Sequence, residues 1–209
     1  MFFSGFVNYD QKLLINTDGS GNITIHYWTN LSNILTGKAT GKFEFEEQKA
    51  RDKFTSSNTK IEKIKFEDKQ GDSTRHVYID LTFNDIGKLA EAKGFGNINI
   101  SWKETSDGME LRYILLKDVT IASDTNAKNY KLNYEIEIPG EIVSTNGKRD
   151  GQKVVWEYTA AELVKDLPMI VVSKKSKEKT CGIFGLVAAV LIIGLFYFTQ
   201  RNKKRLIEK

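Results

Sequence analysis

The residues best suited to chemistry are two histidines, His26 and His76, and the chain contains no others. An imidazole can act as a general base or as a metal ligand near neutral pH. His26 lies next to Tyr27, and His76 follows Arg75, but neither has a partner at the spacing of a metal site. The sequence also lacks the Gly-x-Ser-x-Gly turn that presents a serine nucleophile. We therefore predict no catalytic residue and no metal site, and we assign both histidines to structural hydrogen bonds.

The glycine-rich run Asp18-Gly19-Ser20-Gly21 is the next candidate, because similar runs hold phosphate or calcium ions. It has neither the lysine of a phosphate loop nor the regularly spaced carboxylates of a calcium loop. A tight β-hairpin accounts for it, and other acidic residues are scattered or alternate with lysines, as on solvated surfaces. We predict no bound cofactor.

The three tryptophans, Trp28, Trp102 and Trp156, could line a ligand pocket, but burial in the core is favoured. The single cysteine, Cys181, lies at the start of a long apolar segment. Neither an intrachain disulfide nor a thiol nucleophile in the preceding domain is therefore expected.

Alternating apolar and polar residues separated by turn residues predict β-hairpins. The predicted pairs are Asp10–Asn16 with Ile23–Trp28, Asn58–Phe66 with Arg75–Phe83, and Asn97–Trp102 with Glu110–Leu116. Further extended segments are predicted at Tyr130–Ile138, Glu141–Ser144, Gln152–Tyr158 and Met169–Ser173, the middle two surrounding Thr145-Asn146-Gly147. Helices are predicted at Lys42–Phe54 and Asp85–Lys93, the second capped by Asn84, with a helical turn at Ala160–Lys165. The expected fold class is α+β: mainly antiparallel β-hairpins with two helices packed on the sheet, plus one C-terminal transmembrane helix.

The segment from Cys181 to Thr199 has no charged residue. Its nineteen residues span about 28 Å as a helix, close to the roughly 30 Å hydrocarbon core of a bilayer. A buried core helix is the alternative, but such a helix is usually shorter and has a polar face. The sequence thus predicts a domain at 1–173, a basic juxtamembrane linker at 174–180, a membrane span at 181–199 and a basic cytoplasmic tail at 200–209.

Basic residues flank both ends of the predicted span, so the positive-inside rule only slightly favours a cytoplasmic tail. These clusters account for most of the net charge of +4 and should contact anionic headgroups. Without them the charge is close to zero, which argues against a nucleic-acid partner. The oligomeric state is left open.

Two segments resemble a known family. Residues 4–21, including Ser4-Gly5-Phe6-Val7-Asn8-Tyr9-Asp10 and the Asp18-Gly19-Ser20-Gly21 turn, resemble the mature start of bacterial LppM-like surface lipoproteins. The run Pro139-Gly140-Glu141-Ile142-Val143-Ser144-Thr145-Asn146-Gly147, followed by Trp156 and an apolar helix, is similar to the same family. Phe6 stands where the family carries a lipid-modified cysteine, so lipidation does not carry over. The resemblance implies an extracytoplasmic, non-catalytic envelope domain with lipid or glycolipid contact.

The sequence thus favours a non-catalytic binding or structural module on the cytoplasmic membrane of a bacterium, with its domain outside. A groove between the sheet and the helices would be the place for a lipid chain. The alternative is a tail-anchored adaptor with its domain in the cytoplasm. It agrees with an N-terminal segment, Met1 to Val7, that lacks the basic region of a signal peptide.

Overall fold

A computed structural model describes residues 7–35, 43–122 and 126–174 of the chain. Most of this part is β-strand, arranged in one sheet of seven strands and one of four. The strands are β1 (Asn8–Ile15), β2 (Gly21–Asn30), β3 (Thr59–Lys69), β4 (Thr74–Phe83), β5 (Ile98–Thr105), β6 (Gly108–Leu115), β7 (Lys131–Glu137), β8 (Ile142–Thr145), β9 (Lys148–Asp150), β10 (Lys153–Thr159) and β11 (Leu167–Ser173). The α-helices are α1 (Leu31–Leu35), α2 (Glu47–Phe54) and α3 (Val119–Ala122). Single 3-10 turns or short 3-10 helices occupy Ile86–Glu91, Lys93–Phe95, Ala127–Asn129 and Ala160–Val164.

The larger sheet has the strand order β3-β4-β2-β1-β7-β10-β9. All neighbouring strands in this sheet are antiparallel except β1 and β7. These two run parallel, with Tyr9 opposite Leu132 and Gln11 opposite Tyr134. Strand β1 is therefore central, with β2 on one side and β7 on the other. Its side chains alternate, so Gln11 is buried on the inner face while Asp10 lies on the outer face.

The smaller sheet has the order β5-β6-β11-β8, and all of its pairs are antiparallel. The last strand in the chain order, β11, lies between β6 and β8 and joins them in one sheet. The apolar inner faces of both sheets meet in one core cluster. Tyr113 of the smaller sheet contacts Tyr134 of the larger sheet, with ring centroids 5.9 Å apart.

The three predicted hairpins are confirmed as β1–β2, β3–β4 and β5–β6. The extended segments predicted at Glu141–Ser144 and Gln152–Tyr158 are confirmed as β8 and β10. Strand β8 pairs with β11 in the smaller sheet, whereas β10 pairs with β7 and β9 in the larger one. The two strands therefore lie in different sheets.

The first predicted helix is shorter than expected, because α2 begins only at Glu47. Residues 43–46 are not helical, and Phe43 and Phe45 pack against Tyr27. The Tyr27 hydroxyl donates to the Glu44 carbonyl oxygen at 2.5 Å, an acceptor that a longer α-helix would use internally. Packing of these aromatic rings therefore overrides the helical spacing of the sequence.

The second predicted helix is two short 3-10 segments, Ile86–Glu91 and Lys93–Phe95, separated by extended Ala92. The cap is Asp85 and not Asn84, since the Asp85 carboxylate accepts from the Gly87 amide at 2.8 Å. The predicted turn at Ala160–Lys165 is also a 3-10 helix, Ala160–Val164. In the ranges given above, no helix is long and apolar enough to cross a bilayer. The predicted span at 181–199 lies outside those ranges.

Candidate functional site

A cavity of about 70 Å³ lies between the two sheets. One water molecule needs roughly 10–15 Å³ of such space, so the cavity has room for several atoms of a ligand. The lining is mainly aromatic and aliphatic and comes from both sheets, α2, α3 and the 3-10 segments. It consists of Val7, Tyr9, Phe43, Phe54, Gly94, Phe95, Asn97, Ile98, Tyr113, Leu115, Asp118, Ile121, Leu132, Tyr134, Ala160 and Leu163. The sequence predicts a groove between the sheet and the helices, whereas the structure places the space between two sheets, with short helices around it.

Local structure places the lining residues. Strand alternation points Tyr9, Tyr113 and Tyr134 inward, and α2 supplies Phe54, whose ring meets Phe95 edge to face at 5.5 Å. Gly94 lies against this pair, because a Cβ at that position would come within 2.4 Å of the Phe54 ring. The absence of a side chain at Gly94 thus lets Phe54 occupy this position.

A buried polar cluster adjoins the cavity. The Tyr9 hydroxyl donates to Gln11 Oε1 at 2.7 Å, and the Tyr113 hydroxyl donates to the same oxygen at 3.3 Å. The second of these bonds joins the two sheets. Burial raises the pKa of Tyr9, Tyr113 and Tyr134 above the usual tyrosine value, so all three hydroxyls remain protonated at physiological pH.

Gln11 is only 2% exposed, and its Nε2 atom has no hydrogen-bond partner among the described residues. Reversing the amide would not help, because the oxygen would then be the atom without a partner. An unmet buried amide costs roughly 1–3 kcal/mol. The apolar core therefore retains one unsatisfied polar group beside the cavity.

Three exposed aliphatic residues lie next to lining residues in the sequence: Leu116, Val119 and Val164. The Asp118 carboxylate accepts from the Thr120 and Ile121 amides at 3.2 Å and so caps α3. The Asp118 amide in turn donates to the Leu163 carbonyl at 2.8 Å. These bonds fix α3 beside the 160–164 turn. The three exposed side chains do not line the cavity themselves, and we call them the aliphatic rim (Leu116, Val119 and Val164).

The tryptophans have separate environments. Trp156 is buried in the core, as predicted, and its indole N–H donates to Asn146 Oδ1 at 3.1 Å. Trp102 is partly buried against the core. Trp28 instead lies on the outer face of the larger sheet, so the core prediction for it was wrong. None of the three lines the cavity.

The Asp18–Gly21 run forms the turn between β1 and β2. Ser20 donates to the Asp18 carboxylate through both its amide and its hydroxyl, and these hydrogen bonds hold the pKa of Asp18 below its ordinary value. In the described ranges, no group of three or more His, Cys, Asp or Glu side chains is placed to hold a metal ion. Cys181 lies outside those ranges.

The sequence did not predict the meeting of His26 and His76, which are hydrogen-bonded to each other at 2.8 Å. They are 50 residues apart and lie on β2 and β4, which are neighbours in the sheet but not in the chain. The alternation of apolar and polar residues within each strand gives no information on which strands pair.

The fold has a solved counterpart. The NMR structure of the folded domain of the Mycobacterium tuberculosis LppM protein matches with a TM-score of 0.50 and 17% sequence identity. The match covers 86% of this chain and 96% of that one. At this identity the likeness concerns the fold alone. A comparison with curated protein sequences gave no match.

A comparison with family models supplies the assignment. The model of the LppM domain matches residues 15–165, which is more than half of the chain. This range includes the strands from β2 to β10 and most of the cavity lining. The chain therefore belongs to the LppM domain family.

Proposed function

We propose that this domain is a non-catalytic module that binds one alkyl chain of a lipid in the cavity between its two sheets. The observation that carries the proposal is the cavity itself, whose lining is mainly apolar and comes from both sheets. Ligand sites of this kind are typically concave and apolar with a few polar groups. Family membership supports the proposal through the lipid or glycolipid contact that the resemblance implies.

The size of the cavity sets the mode of binding. A volume of about 70 Å³ takes a short run of methylene groups rather than two complete chains. Each methylene removed from water contributes about 0.8 kcal/mol, so a few inserted groups give several kcal/mol of gross stabilisation. The aliphatic rim would hold the next part of the chain, and the headgroup would remain outside.

The proposed location is outside the cytoplasmic membrane of a bacterium, with residues 181–199 as the anchor. The charge-free segment supports the anchor, and the family resemblance supports an envelope position. The flanking basic clusters would contact anionic headgroups. The alternative remains a tail-anchored adaptor whose domain faces the cytoplasm.

Binding is tested with residues 1–174, unfolded, freed of lipid and refolded, then mixed with a single-chain lysophosphatidylglycerol and followed by native mass spectrometry. We expect a complex of one lipid per chain. Ile121→Trp should weaken lipid binding, because Ile121 lines the cavity and the larger tryptophan ring would fill part of it. Ile121 is only partly buried, so the domain can accommodate the larger side chain. The control is Val143→Trp, which also introduces tryptophan in place of a β-branched residue but at an exposed site away from the cavity lining.

The outcome that contradicts lipid binding is clear. If the refolded protein gives a native circular dichroism spectrum but no complex, the cavity does not hold an alkyl chain. Equal binding by both tryptophan variants would place the lipid elsewhere on the protein.

Location is tested by protease treatment of intact cells that carry a C-terminal epitope tag. Digestion of the domain, with survival of a small tagged fragment, is expected for an external domain. A full-length tagged protein that is cut only after detergent lysis would favour the cytoplasmic alternative.

A further inference from the structure

The outer face of the larger sheet carries a histidine pair that the lipid site does not use. In the β2–β4 register His26 is opposite Tyr78 and Trp28 is opposite His76, so the two imidazoles are diagonal neighbours. His26 Nε2 lies 2.8 Å from His76 Nδ1. The ring centroids are 5.1 Å apart. This distance is about the sum of the nitrogen–nitrogen distance and the radii of the two rings, as expected if both nitrogens lie on the line between the centroids. The two nitrogens therefore point at each other head-on.

Two larger rings enclose the pair. The Tyr78 ring stacks on His26 at 4.3 Å, and the Trp28 ring stacks on its other side at 4.5 Å. Trp28 and Tyr78 also stack with His76, at 5.7 and 6.1 Å. Because the faces of His26 are covered on both sides, this cluster is not an open platform for a stacking ligand such as a sugar. Aromatic faces of this kind do attract a cation held between them.

The contact between His76 Nε2 and Thr74 fixes the tautomer of His76. Its Nε2 atom lies 2.8 Å from the Thr74 hydroxyl oxygen, and that hydroxyl donates its only hydrogen to Asp72 Oδ1 at 2.5 Å. The Thr74 oxygen must therefore accept, so His76 Nε2 carries a hydrogen. In a neutral His76 the Nδ1 atom is then the acceptor, and His26 Nε2 donates to it.

The His26 ring nitrogen that points away from His76, Nδ1, carries no hydrogen in the neutral state. If Nε2 carries the hydrogen of a neutral His26, Nδ1 has only a lone pair, and it faces Asp10 Oδ2 at 3.5 Å. Two acceptors then oppose each other at more than hydrogen-bond distance. A continuous row of hydrogen bonds from Asp10 through the two imidazoles to Thr74 needs three N–H groups. Two neutral imidazoles supply only two. The arrangement has a place for one additional proton.

The geometry distinguishes this proton from a metal ion. A separation of 2.8 Å is that of an N–H···N hydrogen bond. A metal ion bound head-on by both nitrogens at about 2.0–2.1 Å each would hold them roughly 4 Å apart. The two imidazoles would have to separate by more than an ångström to admit it.

Charged groups from three parts of the sheet face the pair. Asp10 on β1 is closest to His26, and Asp72 in the β3–β4 turn and Glu67 on β3 favour protonation of His76. Lys69 on β3 opposes protonation of both, and burial is the largest influence on each. The net result is that burial lowers the pKa of both histidines below the ordinary value.

We propose that His26 and His76 form a proton-binding pair, which takes up one shared proton on mild acidification and donates the new N–H to Asp10. A second proton is excluded while the pair is intact, because it would remove the acceptor from the N–H···N bond and place two positive charges 2.8 Å apart. The bound proton adds one positive charge to the outer face and joins β1, β2, β4 and the β3–β4 turn in one row of hydrogen bonds.

The experiment uses the full chain in detergent with 15N-labelled histidine. Because the chain has only two histidines, all four imidazole ring nitrogens in the spectrum belong to this pair. On titration from pH 8 to pH 5 we expect both rings to respond together with one apparent pKa below the ordinary histidine value. The His26 Nδ1 signal should change from the acceptor type to the N–H type. Separate titration of the rings at ordinary values, or no response in this range, would overturn the proposal.

Two variants separate this role from a merely structural one. Asp10→Asn should shift the apparent pKa of the pair downward, because the Asp10 charge favours protonation of His26. The control Asp107→Asn, at the exposed β5–β6 turn, should leave it unchanged. An unchanged pKa in a folded Asp10→Asn protein would contradict the assigned acceptor.

Discussion

Gln11 is a single residue through which a central strand contacts both sheets. Its side-chain oxygen accepts from Tyr9 in its own sheet and from Tyr113 in the other. Its nitrogen has no partner among the described residues. Gln11 therefore stabilises two buried hydroxyls while leaving one of its own polar atoms unsatisfied. Replacing Gln11 removes the unsatisfied atom but leaves two buried hydroxyls without their acceptor, and the second effect is the larger.

Gln11→Leu should destabilise the domain. The change removes the acceptor of two buried tyrosine hydroxyls, which we expect to lower the free energy of unfolding by about 1–3 kcal/mol. Urea unfolding followed by tryptophan fluorescence measures the change. The matched control is Gln152→Leu at an exposed position, which should stay within about 0.5 kcal/mol of the parent. An equal effect of both variants would show that the hydroxyls do not depend on Gln11.

The histidine pair should make stability depend on pH near neutrality. The folded pKa of both imidazoles is lowered, whereas an unfolded histidine titrates near about pH 6.5. Below that pH the unfolded chain binds more protons than the folded chain, so the free energy of unfolding falls as the pH falls toward the lowered folded pKa.

This dependence is measured by urea unfolding at several values between pH 8 and pH 5. A His26→Gln/His76→Gln double variant provides the comparison, because it keeps the other charges and lacks both imidazoles. The expected difference between parent and variant decreases on acidification. A difference that is constant with pH would contradict the lowered pKa values.

At the scale of the elements, the sequence predicted local pairing better than distant pairing. The β1–β2, β3–β4 and β5–β6 hairpins follow from alternation and turn residues, both of which are local. The parallel β1–β7 pair joins Tyr9 to Leu132, and no local signal specifies it. Alternation identifies the buried face of a strand but not its partner. The cavity and the His26–His76 contact both depend on such distant pairs, so neither could be predicted.

The first helix was predicted too long for a related reason. The spacing of Phe43 and Phe54 is compatible with a helix, but Phe43 contacts Tyr9 and Tyr27 on neighbouring strands. The energy of tertiary packing exceeds the few tenths of a kcal/mol per residue that favour helix over extended chain. A short α2 and 3-10 segments remain around the cavity.

Gly94→Ala tests how closely these short elements pack. The added Cβ would lie within 2.4 Å of the Phe54 ring, so the ring must move toward the cavity or the backbone must shift. Such overpacking typically costs about 1–3 kcal/mol of unfolding free energy. Gly71→Ala is the control, because nothing lies within 4 Å of a Cβ there. Thermal unfolding compares the two, and equal stability would show that Phe54 yields without cost.

At the scale of the whole molecule, the fold extends beyond the family match. The match ends at residue 165, before β11, and begins at the last residue of β1. Yet β1 is central in the larger sheet and β11 lies between two strands of the smaller one. Removal of either strand would expose unpaired backbone groups on both neighbouring strands.

A fragment of residues 15–165 should therefore fail to fold, whereas a fragment of residues 1–174 should fold. Dispersed amide signals in a proton–nitrogen NMR spectrum and a cooperative thermal transition would identify the folded fragment. A cooperative transition for residues 15–165 would mean that the sheets tolerate the loss of a central strand.

Strand β1 contributes to both proposed sites, because its successive residues face opposite sides of the larger sheet. Asp10 faces the histidine pair on the outside, and the next residue, Gln11, lies in the polar cluster beside the cavity. A ligand that displaces β1 changes the position of Asp10 and so the proton affinity of the pair. By reciprocity, the proton then changes the affinity for that ligand by the same factor. Titration calorimetry in two buffers of different ionisation enthalpy would count the protons exchanged per lipid bound, and this number measures the linkage directly.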